Sequence, residues 1–386
     1  MVKKESVNPN NSTYLCSVFF INTKTYTTMK KQILLLLFVT VTFMANAQWR
    51  RNVTPADTLT SIVTNADGST TFRIYAPKAE KVTLGGDFSG LNALFTKDAD
   101  GIWTAVVPHV ATDAYRYHFV VDGVRVIDPR YRLYSEITPV AMITNGEDIF
   151  WAQRDVPHGP VSQLSYKSST TGTTRSMHVW IPAGKAAKES LPVLYLIHGG
   201  GDNDASWTSV GCADNILDNL YAEGKIAPMI VVMPHGGMDT EKFVDELVVD
   251  IMPRVAEQYR IKTGSKNTAL AGLSMGGLET LNCFMAHPDL FGYINVMSSG
   301  WFRSNDADRQ AKTQKLREIA STLNKTANIL RFTMGGKSDI AYENCQQMLK
   351  CFDEAGIKYE YSDTPGGHSW HVWHYDLLDF APRLFK

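Results

Sequence analysis

Cysteine is scarce: the 386 residues contain five, and four of them (Cys212, Cys283, Cys345 and Cys351) lie beyond position 47. That is too few for a disulfide-stapled scaffold, and their spacing is not that of a zinc site. Cys345 and Cys351 are six apart in a helical pattern, which disfavours direct pairing, so all four are expected in the core. Neither sign of charge is in excess. With 38 basic against 39 acidic residues and a formal net charge of −1, the chain lacks the basic surface that a nucleic-acid partner requires. The apolar stretch at residues 33–44 falls short of the roughly 20 residues of a membrane-spanning helix. Internal repeats and low-complexity tracts are missing as well. No cluster of histidine, cysteine and carboxylate in the C-terminal half has metal-binding spacing, so no metal or other cofactor is expected.

What is present begins with an address. Met29-Lys30-Lys31, the apolar stretch and then Ala45-Asn46-Ala47 have the order of an export signal at about residues 29–47, cleaved after Ala47. Residues 1–28 are either an upstream extension created by the choice of start codon or a long positively charged n-region. No cysteine follows the cleavage point to take a lipid. A secreted or periplasmic protein without a stable membrane anchor is expected.

Residues 55–150 alternate in short runs. Phe72, Ile74 and Ala76 share one parity before Pro77, Val82 and Leu84 do so before Gly85-Gly86, and Asp122-Gly123 separates two apolar runs as a two-residue hairpin turn. This is the pattern of a small all-β sandwich. Trp103, Tyr115 and Tyr117 sit at alternating positions, where they either stack on sugar rings or fill the core. Beyond a turn-rich junction at residues 151–160, the segment 155–386 carries near-continuous apolar strands at 193–197, 229–233, 269–271, 293–297 and 329–334, separated by helical periodicity. Such strands belong to a parallel sheet covered on both faces, hence an α/β fold. Val244, Leu247, Val248, Ile251 and Val255 mark one helix, which Pro253 is expected to kink or restart.

Gly272-Leu273-Ser274-Met275-Gly276 is a G-x-S-x-G pentapeptide in the order strand, turn, helix, so Ser274 is the expected nucleophile. Serine needs a base, and the base needs an orienting carboxylate. His287 closes the helix after the elbow. His368 lies in the glycine turn Pro365-Gly366-Gly367-His368-Ser369-Trp370 and is the expected base, with His371 and His374 as surface or supporting residues. Asp339, after the strand at 329–334, is the favoured acid; Asp363 is its rival. The backbone N–H groups of Met275 and of Gly200, in His198-Gly199-Gly200-Gly201, are the expected oxyanion donors. Trp207, His235 and Trp370 are candidate substrate-binding residues, and Trp373 is a further candidate to wall an aromatic pocket with Trp207 and Trp370; aromatic residues at such positions serve equally as packing.

With these motifs in hand, residues 155–386 resemble carbohydrate esterase family 1, the feruloyl and acetylxylan esterases. The resemblance rests on the elbow, Gly335-Gly336-Lys337-Ser338-Asp339, Gly366-Gly367-His368-Ser369-Trp370, the run from His198 to Trp207, and Met233-Pro234-His235-Gly236. His235 departs from the asparagine common after the Met-Pro pair. Residues 55–150 resemble the immunoglobulin-like modules related to family-48 carbohydrate-binding modules, through Thr71-Phe72-Arg73-Ile74-Tyr75-Ala76-Pro77, Gly85-Gly86-Asp87-Phe88 and the run from Tyr115 to Gly123. The resemblance implies an α/β-hydrolase domain with Ser274 as nucleophile, Asp339 as acid and His368 as base. Its implied substrate is a feruloyl, related hydroxycinnamoyl or acetyl ester on plant cell-wall polysaccharide such as arabinoxylan, cleaved through an acyl-enzyme. Alternatives are an enterochelin-type siderophore esterase, an acyltransferase of the same superfamily, and a carbohydrate-binding protein with an inactive hydrolase domain. Every triad candidate lies beyond residue 190. The sandwich is therefore expected to position or stabilise the esterase without a part in bond cleavage, and a chain beginning near Pro157 to retain the chemical machinery.

Overall fold

Strands β1 (Ile62–Thr64), β2 (Thr70–Tyr75), β3 (Val82–Gly86), β4 (Thr96–Lys97), β5 (Ile102–Val107), β6 (Asp113–Val121), β7 (Val124–Val126) and β8 (Val140–Ile143) build two antiparallel sheets. One has the order β1-β2-β5-β4; the other has β3-β6-β7, with β8 also paired to β6. The computed structural model describes residues 53–386 except 89–92, 109, 131–139, 144–148, 186–188, 237–238 and 303, so the expected export signal at about 29–47 lies outside the described residues. The hairpin β6–β7 turns at Asp122 and Gly123, with φ of 49° and 84°. Positive φ at both central residues matches the twist of the flanking strands. Alternate side chains meet between the sheets in a core that includes Phe72, Phe88, Tyr117 and Phe119. Trp103 donates its indole N–H to the Ala76 carbonyl at 3.0 Å, and the Tyr117 hydroxyl reaches Asp128 at 2.6 Å. Both rings are buried, which assigns these two aromatics to packing; Tyr115 is half-buried.

A third sheet joins β9 (Val161–Lys167), β10 (Thr174–Trp180), β11 (Val193–Ile197), β12 (Ile230–Pro234), β13 (Thr268–Leu273), β14 (Tyr293–Met297), β15 (Ile329–Met334) and β16 (Glu360–Asp363). Its order is β16-β15-β14-β13-β11-β12-β10-β9. The six strands from β16 to β12 pair in parallel, and β10 is antiparallel to both β12 and β9. Strands β11 to β14 are buried at every position, as both-face coverage requires. Helices α1 (Ala213–Ala222) and α2, a continuous run of Lys242–Asp245, Glu246–Ile251 and Met252–Gln258, precede α3 (Met275–Ala286). Then come α4 (Asp306–Thr326), α5 (Tyr342–Glu354) and α6 (Trp370–Phe380). In α2 the hydrogen-bond ladder widens to π spacing over Glu246–Ile251, just ahead of Pro253, whose missing N–H cannot close a regular turn. The helix continues without restarting.

One face of the sheet packs Phe243, Leu247, Leu281, Phe284, Leu316 and Phe352 from α2 to α5. The opposite face packs α1 and α6, and there Ala114 of β6, Val140 of β8 and Trp151 enter the same core as Leu217, Trp373 and Leu377. The sandwich and the parallel sheet thus share apolar contacts, and residues 55–386 cluster as one unit. All four described cysteines are free and buried. Among the described residues no helix is long and apolar enough to cross a membrane.

Candidate active site

Strand β13 ends at Leu273 and helix α3 starts at Met275, so Ser274 alone makes the turn, at φ 53° and ψ −116°. A non-glycine residue held there stores on the order of 1–3 kcal/mol of strain. Its surroundings hold it: the Ser274 N–H donates to the Met297 carbonyl at 2.9 Å, and the Ser299 hydroxyl donates to the Ser274 carbonyl at 2.6 Å. The elbow packs backbone on backbone. A Cβ on Gly272 would stand 2.2 Å from the Gly276 carbonyl oxygen, and one on Gly276 would stand 2.2 Å from that of His198.

His368 reaches this serine from the loop before α6, with Nε2 at 2.9 Å from Ser274 Oγ and Nδ1 at 2.8 Å from Asp339 Oδ1. Asp339 is buried at the carboxyl end of β15, where its two oxygens also accept the N–H groups of Ala341 at 2.9 Å and Gly335 at 3.0 Å. Burial raises a carboxyl pKa, but the hydrogen bonds from His368 and these amides outweigh it and hold the value at about 2. An ionised Asp339 fixes the proton on Nδ1 and turns the Nε2 lone pair toward the serine hydroxyl. Asp363, by contrast, is exposed and accepts the Tyr361 hydroxyl at 2.6 Å. The acid and base loops touch through glycine: the Gly367 N–H donates to the Gly335 carbonyl at 2.9 Å, and a Cβ on Gly335 would come within 1.8 Å of the Gly367 oxygen.

Met275 opens α3, where the first-turn N–H groups have no intrahelical partner. Gly200 follows β11 and faces it: a Cβ on Gly200 would lie 3.1 Å from Met275 Cγ. The loop is fastened by His198, whose Nε2 accepts the Gly236 N–H at 2.9 Å while Nδ1 lies 2.8 Å from the Gly199 carbonyl. An acceptor on one side and a donor on the other require the neutral ring protonated on Nδ1. Burial accordingly pushes the His198 pKa down to about 4. The folded chain refuses a proton that the unfolded chain accepts, so this stability is full above pH 6.5 and falls by up to about 3 kcal/mol as pH drops to 4. Urea unfolding at pH 7 and pH 5 should record the decline, and His198→Gln should make it shallower.

A cleft of about 380 Å³ opens over Ser274 and His368, walled by Gly200, Trp370 and Trp373 on the hydrolase side and by Tyr115 and Arg116 on the sandwich side. The sequence-based expectation gave the sandwich a positioning or stabilising role with no part in bond cleavage. The structure puts β6 against the cleft, because Ala114 and Val140 dock in the core beneath α6. Trp370 and Trp373 stand perpendicular with ring centres 5.2 Å apart, and Trp373 meets His368 edge-on at 5.2 Å. Trp207 is fully buried and packs edge-on to Trp370 at 5.1 Å, outside the cleft wall. His235 also stands off the wall: its ring meets His198 at 5.5 Å, and its Nδ1 is 3.5 Å from Asp204, which His178 approaches at 3.1 Å. His374 is buried, with Nε2 donating to the Val210 carbonyl at 2.9 Å. Arg116 and Asp202, joined at 2.6 Å across the cleft, went unrecognised in the sequence, since no spacing links positions 86 residues apart. Among the described residues no group of three or more histidine, cysteine or carboxylate side chains is arranged to hold a metal ion.

Residues 168–384 match the Esterase family model, and residues 60–132 match that of carbohydrate-binding module 48, the isoamylase N-terminal domain. An endo-1,4-β-xylanase/feruloyl esterase of Xylanibacter ruminicola is 29% identical over 83% of this chain, which spans 45% of that relative's length. Among solved structures, the feruloyl esterase module from Clostridium thermocellum complexed with sinapinate superposes with a TM-score of 0.55 at 22% identity, covering 66% of this chain and 93% of its own. The enterobactin esterase from Shigella flexneri superposes with a TM-score of 0.58 at 15% identity, covering 82% and 93%. At these identities both show the fold. With its family match extending over more than half of its length, the chain belongs to the esterase family: it is a carboxylic ester hydrolase of α/β-hydrolase fold behind an immunoglobulin-like module.

Proposed function

We propose that this protein is an exported feruloyl esterase that releases hydroxycinnamoyl groups from plant cell-wall polysaccharide by a serine acyl-enzyme mechanism. The observation that carries the mechanism is the unbroken line Ser274–His368–Asp339, at 2.9 and 2.8 Å, on the floor of an open cleft. Ser274 Oγ attacks the ester carbonyl as His368 Nε2 takes its proton, and Asp339 stabilises the imidazolium that forms. The N–H groups of Met275 and Gly200 receive the developing oxyanion. His368 then returns its proton to the departing sugar hydroxyl, and a water molecule, deprotonated by the same nitrogen, frees the acid. No step calls on a metal or another cofactor.

The indoles of Trp370 and Trp373 support a planar aromatic acyl group, as does the likeness to a xylanase/feruloyl esterase. Export rests on the leader pattern at residues 29–47, consistent with a polymeric substrate outside the cell. A second reading, an esterase for catecholate siderophores, is favoured by the enterobactin esterase likeness, which extends over 82% of the chain. Initial rates on methyl ferulate, feruloylated arabinoxylan, acetylated xylan and a catechol ester, measured side by side, separate the readings. Ferulate release should exceed acetate release in kcat/KM by roughly tenfold or more; preference for the catechol ester would select the second reading, and preference for acetylated xylan an acetyl esterase.

A further inference from the structure

Strand β6 of the sandwich meets the helix that follows the base and the loop that carries Gly200. At its start, Asp113 lies 3.4 Å from Nδ1 of the buried His374 and 3.6 Å from Nδ1 of His371, both on the helix that follows the base His368. Three residues further, Arg116 Nη1 lies 2.6 Å from Asp202 Oδ1, and Asp202 is two residues beyond Gly200. The base of this contact is rigid: Ala114, between the two charged residues, is buried in the core that holds α6, and the Arg116 N–H and carbonyl are bonded to Asp87 at 2.7 and 2.8 Å. The Asp202 carboxylate is 6% exposed, whereas the Arg116 side chain is 32% exposed and faces the cleft. Between Gly200 and Asp202 the chain turns through Gly201 at φ 80°, with the Asp202 N–H reaching back to the Gly199 carbonyl.

We infer that Arg116 is a positioning residue of the active site: the immunoglobulin-like module supplies the cation that holds Asp202, and through it sets where the Gly200 N–H points. A glycine-rich turn has little intrinsic preference of its own, so its geometry is set by what grips its end. The buried carboxylate of Asp202 is that handle. Burial drives its pKa upward and the Arg116 guanidinium pulls it back, so without the cation an uncompensated charge sits beside the loop. The module is thereby part of the esterase, independently of any sugar it binds. This inference rests on the reading of Gly200 as an oxyanion donor and of Ser274 as nucleophile.

The test uses the full chain and p-nitrophenyl acetate, an ester small enough to need no polysaccharide contact. Arg116→Met should lower kcat by about 10–100-fold, the range for misplacing a catalytic group by an ångström or less, with KM changed by less than about threefold. Arg116→Met combined with Asp202→Asn breaks the same contact and should lose no more than the worse single variant, since both act through one pair, and Arg116→Lys should retain more activity than Arg116→Met; losses that multiply in the double variant overturn the inference. A kcat for Arg116→Met within twofold of wild type, or a lowered melting temperature with unchanged kcat, overturns the inference. Should Arg116→Met fail to fold, Asp202→Asn alone severs the same pair while leaving the arginine solvated; it should reduce kcat, and an unchanged kcat there overturns the inference equally. Labelling of Ser274 by a fluorophosphonate in the wild-type chain separates this outcome from an error in the nucleophile, since no labelling would remove the reading on which the inference depends.

Discussion

Ser274→Ala is expected to lower kcat by on the order of 10⁴ to 10⁶-fold while the protein stays folded. The hydroxyl oxygen lies 2.9 Å from Nε2 of the His368 base, and its removal deletes the acyl-enzyme route altogether. Alanine keeps the Cβ and the same positive φ, so the elbow loses no packing, and a melting curve should overlay that of the wild type. Residual turnover would be limited to what the oxyanion donors and substrate binding provide. Steady-state rates on p-nitrophenyl acetate and methyl ferulate, with a burst measurement on the first, check this; turnover near wild type would sink the mechanism.

His368→Ala should cost about as much as Ser274→Ala, and the double variant little more, because the nucleophile and its base act as one unit. The size of the acid's share follows from its surroundings. Asp339→Asn keeps the shape of the side chain but offers an amide in place of an anion, which favours the wrong imidazole tautomer and should cost on the order of 10³ to 10⁴-fold in kcat. Asp363→Asn, exposed and bonded to Tyr361, should leave kcat within about twofold. Multiplying losses in the serine and histidine double variant would separate the two groups, and a damaging Asp363→Asn would move the acid to that position.

Legibility in the sequence tracked how local each feature is. Strands β11, β13, β14 and β15 announce themselves because burial on both faces forces runs such as Val193-Leu194-Tyr195-Leu196-Ile197. Strand β9 does not: apart from Leu164 and Tyr166 its residues are exposed, and Val161-Ser162-Gln163 reads as loop. Ser274 and His368 were visible because glycines dictated by tight backbone contact surround them, and those contacts are short-range. Asp339 is favoured over Asp363 by its glycine turn after a strand and by the resemblance, but both sit at the carboxyl end of a strand, and only the fold shows whose carboxylate lies beside the histidine. Trp207 and Trp370 pack edge-on against each other, yet only Trp370 lines the cleft, a difference that spacing cannot encode. The join between Arg116 and Asp202 is the extreme case, because it exists only once two differently patterned segments have docked.

The gap between Gly335 and Gly367 has no room for even a Cβ, so the acid and base loops are clasped backbone to backbone. Asp339 is tied to Gly335 and His368 follows Gly367 directly, so this clasp places the two side chains relative to each other, 2.8 Å apart. Ser274 is carried separately, on the turn between β13 and α3. The triad is thus assembled from two parts, a glycine-clasped acid–base pair and a serine on its own elbow, which meet at the 2.9 Å contact of His368 with Ser274.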